Sequence, residues 1–206
     1  MERKRVGIVL FEDIEVLDFC GPFEVFSVTR LNEERRREEP SPFEVLLVAE
    51  KKEPVVTTGG MKVIPHHTFE SCPKLDILVV PGGWGTRKEL KNPTMLGWLR
   101  TRAAEVETLT SVCTGSMLLG FAGLLNGRHA TTHWRSLDWM RDSFPSVTVE
   151  YEKHVVEDGR VFTSAGISAG IDMALKVVAR YCGESVARAT AKHMEYSYPD
   201  NNARRI

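Results

Sequence analysis

Short runs of strand-forming residues recur along this chain, and most are followed by a stretch long enough to be a helix. Residues 5–11 (RVGIVLF), 43–49 (FEVLLVA), 75–80 (LDILVV) and 107–112 (ETLTSV) are nearly continuous in β-branched and apolar residues. Strands that alternate apolar with polar have one wet face; runs like these belong to strands covered on both faces. Helical patterns occupy 22–31, 94–105, 115–125, 136–144, 167–182 and 184–196, the first punctuated by Gly21-Pro22. Alternation of this kind folds as an α/β domain with a mostly parallel sheet. Two short strands are expected around the Gly59-Gly60 turn, and residues 147–156 are expected to pair with 160–164. The 206 residues suit one domain over 1–206, with no repeat or linker and a core large enough to stand without staples.

Charge excludes some partners. Lys plus Arg is 27 against 28 for Asp plus Glu, a net charge of −1, so no overall field draws the chain to nucleic acid or to an anionic membrane. The basic start at residues 1–5 leads into an apolar run that Glu12 and Asp13 end at once, too short for a signal peptide. No stretch approaches the ~20 apolar residues of a membrane span. The charge run at 32–39 (NEERRREE) reads as a solvated helix end. The four cysteines, Cys20, Cys72, Cys113 and Cys182, fit neither a disulfide framework nor a zinc pattern, so a reducing cytoplasm is the expected location.

Cys113 stands apart from the other three. A strand ends at Val112 and a helix begins within two or three residues, so the thiol sits at the carboxyl end of a parallel strand, where open α/β sheets place their sites. The helix start and its free N–H groups are expected to favour the thiolate. Cys20, Cys72 and Cys182 read as small hydrophobes.

Five motifs carry a resemblance. LDFCGPFEVF at 17–26, VPGG at 80–83, SVCTGS at 111–116, ATTHW at 130–134 and SAGISAGIDMAL at 164–175 run in order across nearly the whole chain. Together they resemble the ThiJ/PfpI superfamily, of the class I glutamine-amidotransferase-like kind, and within it the isonitrile hydratase (cyclohexyl-isocyanide hydratase) group. The resemblance implies a flavodoxin-like three-layer α/β sandwich and a homodimer. It implies that Cys113 is the nucleophile and that Asp18 is the acid beside it, where many relatives have Glu. It implies a role for Thr114 in positioning water. The Gly83 and Thr114 N–H groups match an oxyanion-type pocket. Gly82, Trp84, His133, Gly166 and Ile167 complete the expected lining. Cys20 departs from the pattern, standing where Thr or another small residue is expected. The implied partner is a small electrophilic substrate, and the implied chemistry uses no cofactor and no metal. A carboxyl beside a thiolate stays protonated, which raises its pKa and suits it to donate a proton.

Other signals point elsewhere and lose. Gly166-Ile-Ser-Ala-Gly170 mimics a nucleophile elbow at Ser168, but only His193 follows it and Asp172 lies in the same helix. His66 and His67 are adjacent on an extended segment and cannot share a metal; His129 and His133 have no acid between them. Thr114 stands where protease-like relatives carry His. Glyoxalase or deglycase chemistry, and a non-catalytic ligand- or redox-sensing module like the N-terminal half of AraC-type regulators, are the competing readings.

Overall fold

The computed structural model describes residues 3–205. The elements run β1 (Lys4–Leu10), α1 (Val16–Val28), β2 (Phe43–Ala49), β3 (Val55–Val56), β4 (Lys62–Val63), β5 (His67–Thr68), β6 (Ile77–Val80), α2 (Thr86–Glu89) and α3 (Pro93–Glu105). They continue β7 (Thr108–Val112), α4 (Gly115–Phe121), β8 (His129–Ala130), α5 (Leu137–Ser143), β9 (Thr148–Val149), β10 (Val155–Asp158), β11 (Val161–Ser164), α6 (Ala169–Cys182) and α7 (Glu184–His193).

The central sheet has seven strands in the order β10-β11-β7-β6-β1-β2-β5. Every pairing in it is parallel except the β10–β11 hairpin. Val6 to Leu10 of β1, Ile77 to Val80 of β6 and all of β7 are buried, which is why their sequences run apolar or β-branched without a break. Helices α1, α6 and α7 pack together on one face, while α4 packs on β6 and β7 with α2 and α3 beside it. The result is the α/β sandwich with a mostly parallel sheet that the strand–helix alternation called for.

Several boundaries move. The first helix starts at Val16, not near Pro22, and takes Pro22 into its interior. Asp18 therefore lies in the first helical turn rather than ahead of the helix. Residues 147–156 are not one strand: β9 pairs in parallel with β8, and only β10 pairs with β11. The single turn α2 was not anticipated, because four residues carry no periodicity to read.

The chain reverses direction of travel at β1. From it one branch goes outward through β2 to β5, and the other through β6 and β7 to β11. The carboxyl ends of β1, β6, β7 and β11 gather at this switch point, where open α/β sheets leave a crevice. Among the described residues no helix is long and apolar enough to cross a membrane.

Candidate active site

Cys113 is the first residue after β7, and its backbone turns sharply there, with φ 55°. A non-glycine residue in the left-handed region is strained, and here it is fixed from several sides. Its N–H donates to the Ala165 carbonyl at 3.1 Å. Its own carbonyl accepts the Ser116 hydroxyl at 3.0 Å and the Thr132 hydroxyl at 2.9 Å. The thiol is left at the mouth of the switch point with 7% of the residue exposed.

Asp18 comes up against it from α1 and is fully buried. One carboxyl oxygen, Oδ2, accepts the Gly82 N–H at 2.9 Å. The Cys113 thiol and the Ile167 N–H approach the same carboxyl, whose Oδ1 has no full hydrogen bond of its own. No cation pairs with Asp18 among the described residues. Burial, with a smaller push from Glu15, lifts its pKa to about 8. Burial first and the Asp18 charge second push the Cys113 thiol up as well, against the opposing pull of the Thr114 and Ile167 N–H groups. The direction of the Cys113 shift runs against the expectation of a ready thiolate. A short helix start does not outweigh the loss of water around a buried sulfur with an acid for a neighbour.

The glycines of residues 80–83 allow this approach. A Cβ on Gly82 would lie 2.6 Å from the Thr114 N and Oγ1 and 2.9 Å from Asp18 Oδ2, so only glycine fits. The Gly83 N–H is not a free oxyanion donor: it donates to the Thr114 hydroxyl at 3.1 Å. That hydroxyl is bonded in turn to Thr86 Oγ1 at 3.2 Å and the Gly83 carbonyl at 3.3 Å. The Thr114 side chain thus belongs to the frame that ties α2 and the glycine loop to the elbow, rather than standing free to hold water. The N–H groups aimed at the sulfur are those of Thr114 and Ile167.

Ile167 is the second left-handed residue of the site, with φ 58°. A glycine is the usual sign of such a turn, so the sequence placed Ile167 in the lining without revealing its aimed N–H. Gly166 beside it makes room for His133: a Cβ there would sit 2.1 Å from the imidazole Cδ2. Burial, Arg135 and Arg204 hold His133 below its usual pKa. Trp84 is 65% exposed, with Arg87 4.3 Å over its ring. Thr86 and Thr132, both buried and bonded to the elbow, were not singled out from the sequence. Cys20 is half-buried on α1, and Ser168 precedes α6 without capping it.

A second buried acid lies close by. Asp172, in the first turn of α6, has 3% exposure and accepts the Tyr196 hydroxyl at 2.9 Å and the Arg205 guanidinium on Oδ2, while His154 Nε2 stands 3.2 Å from that oxygen and 2.7 Å from the same guanidinium. Arg204 reaches the Thr132 carbonyl at 3.2 Å and the Thr131 hydroxyl. Among the described residues no three His, Cys, Asp or Glu side chains gather as a metal-binding set.

The profile of the DJ-1/PfpI family matches residues 4–180. The isonitrile hydratase of Pseudomonas putida is 36% identical over 194 residues, covering 94% of this chain and 78% of that protein. The HTH-type transcriptional regulator CdhR of Pseudomonas aeruginosa is 36% identical over 134 residues, 65% of this chain and 39% of the regulator. A crystal structure of a ThiJ/PfpI family protein from Pseudomonas syringae superposes with a TM-score of 0.84 at 30% identity, covering 98% of this chain and 78% of that one.

Proposed function

The chain belongs to the DJ-1/PfpI family, and from that premise we propose that it is a cysteine enzyme that hydrates isonitriles to N-substituted formamides without a cofactor. The observation that carries the reading is the fully buried, unpaired carboxyl of Asp18 against the Cys113 thiol at a strained turn. The likeness to an isonitrile hydratase over 94% of the chain supports it.

An isonitrile carbon must gain both a proton and a nucleophile. Asp18, protonated at neutral pH, gives its proton to that carbon while the Cys113 sulfur bonds to it and the thiol proton passes to the carboxylate. The product is a thioimidate, R–N=CH–S–Cys, with the acid restored. Water then adds to the same carbon, the C–S bond breaks, and the sulfur recovers a proton, leaving R–NH–CHO. The sum is one water added to one isonitrile. The Thr114 and Ile167 N–H groups stabilise negative charge on the sulfur as it forms and leaves. The Thr114 side chain acts as a positioning group through Gly83 and Thr86. The same reading takes the working protein as a cytoplasmic homodimer acting on a small molecule, not on nucleic acid or membrane. Similarity to regulators favours ligand sensing as the second reading.

Turnover of an alkyl isonitrile, an aryl isonitrile and methylglyoxal, followed by product NMR, tests both. Formamide is expected from the isonitriles, none from Cys113→Ala, and a kcat lower by about 10²–10⁴-fold for a folded Asp18→Asn. Formamide production by Cys113→Ala would overturn the nucleophile, and wild type inert toward every electrophile would favour sensing.

A further inference from the structure

The mouth of the Cys113 site has a chemistry of its own. Four large apolar side chains stay exposed on the segments that form it. Leu17 adjoins Asp18, Trp84 follows Gly83, Trp134 follows His133, and Ile167 is the turn whose N–H faces the sulfur. Each of the two tryptophans carries a guanidinium on its face: Arg87 at 4.3 Å from the Trp84 centroid and Arg135 at 4.7 Å from that of Trp134. Arg87 also lies 5.8 Å from the ring of Trp139, which brings α2 and α5 together on this side.

Neither arginine has a carboxylate partner among the described residues, although most arginines of the chain do or bond backbone carbonyls. A cation–π contact at an exposed site is worth only about 0.5–1 kcal/mol and leaves the guanidinium donors free. A third cation, Arg204, joins Arg135 in depressing His133. Of the nearby acids, Glu15 acts on Asp18 from just ahead of α1, Glu12 and Asp13 flank the Gly83–Gly85 loop through their backbone, and Asp138 is paired with Arg141 at 2.7 Å. Aromatic faces with unspent planar cations on them suit an apolar body that ends in an oxyanion, and a planar carboxylate is the smallest that a guanidinium grips with two parallel hydrogen bonds.

We infer that the Cys113 site takes substrates whose R group is apolar, rests on Trp84 and Trp134, and ends in a carboxylate held by Arg87 and Arg135. The substrate class rests on the hydratase reading, whereas the carboxylate subsite is testable without turnover. Two unreactive probes of one shape separate them, 4-tert-butylbenzoate and 4-tert-butylbenzamide, titrated into the full chain by calorimetry and tryptophan fluorescence. The benzoate is expected to bind at least about tenfold more tightly, a difference of about 1.4 kcal/mol. That preference is expected to shrink with added salt and to vanish in the folded Arg87→Gln/Arg135→Gln double variant. Trp84→Leu is expected to weaken both probes alike. Equal affinity for the two probes, or a preference that survives the double variant, would overturn the subsite. Benzoate preference without turnover of 4-isocyanobenzoate would keep the subsite and count against the hydratase; turnover of neutral isonitriles without the preference would do the reverse.

Discussion

Asp18 and Asp172 are the same residue in nearly the same setting, yet they are treated in opposite ways. Both lie in the first turn of a helix, both are buried, and both stand near the segments that hold Cys113. Asp172 collects a phenol and a guanidinium on one oxygen, with an imidazole beside it. Asp18 receives one full backbone hydrogen bond and no cation. A buried carboxyl that several donors and a cation engage is fixed in place, whereas one without a cation is pushed by burial toward its protonated form. The contrast separates a group held by several donors from one left with a single full hydrogen bond, a distinction that burial alone does not draw.

The largest expected effect that tests this contrast is on rate. Asp18→Asn should lower kcat for an isonitrile by about 10²–10⁴-fold, while Asp172→Asn, which keeps the shape, should stay within about tenfold. Comparable losses in the two variants, measured side by side, would erase the distinction.

Stability should rank them the other way. Asp172→Ala leaves the Arg205 charge and the Tyr196 hydroxyl without their shared acceptor. Partly exposed Arg205 softens the effect, so a loss of about 2–4 kcal/mol is expected by denaturant unfolding. Asp18→Asn should remain as stable as wild type at neutral pH or gain.

The pH dependence sharpens the second half of that statement. The folded-state pKa of Asp18, about 8, lies above its ordinary value of 3.8, so the folded chain binds the proton more tightly than the unfolded one. Its contribution to stability is full below about pH 4 and declines as pH rises toward 8. Replacing it by Asn removes that decline. The unfolding free energy of Asp18→Asn, followed by thermal melts, should therefore pull ahead of wild type between pH 5 and 9, by an amount on the order of 3 kcal/mol at the alkaline end. Parallel melting curves across that range would mean that Asp18 is not buried as a neutral acid.

Much of this was readable in the residues, and the misses have physical causes. Unbroken strand-forming runs identified the central strands because burial on both faces leaves little room for a polar alternate. The VPGG and SVCTGS motifs located the turn and its thiol. Pro22 misled about the start of α1: it lacks an N–H and so normally opens a helix, but here the helix carries it inside. The direction of the Cys113 shift was missed because the helix start is a local feature, whereas desolvation depends on what α1 brings from far along the chain. Ile167 gave no sign of its left-handed turn, since isoleucine disfavours that geometry. The Asp172 cluster joins residues 154, 172, 196 and 205, and no spacing rule connects positions that only tertiary packing unites.

The backbone angle of Cys113 has an evolutionary side. At φ 55° a glycine would sit without strain, whereas alanine inherits the steric penalty and lacks the thiol. Two inactive variants should thus part company on heating: Cys113→Gly should melt above Cys113→Ala by roughly 1 kcal/mol equivalent. If calorimetry shows that order, Cys113 sits where drift toward glycine would raise stability. A chain under no demand for the thiol would gain stability by exchanging the whole CH2–SH side chain for a hydrogen atom, so at this position the sulfur is carried at a cost in stability.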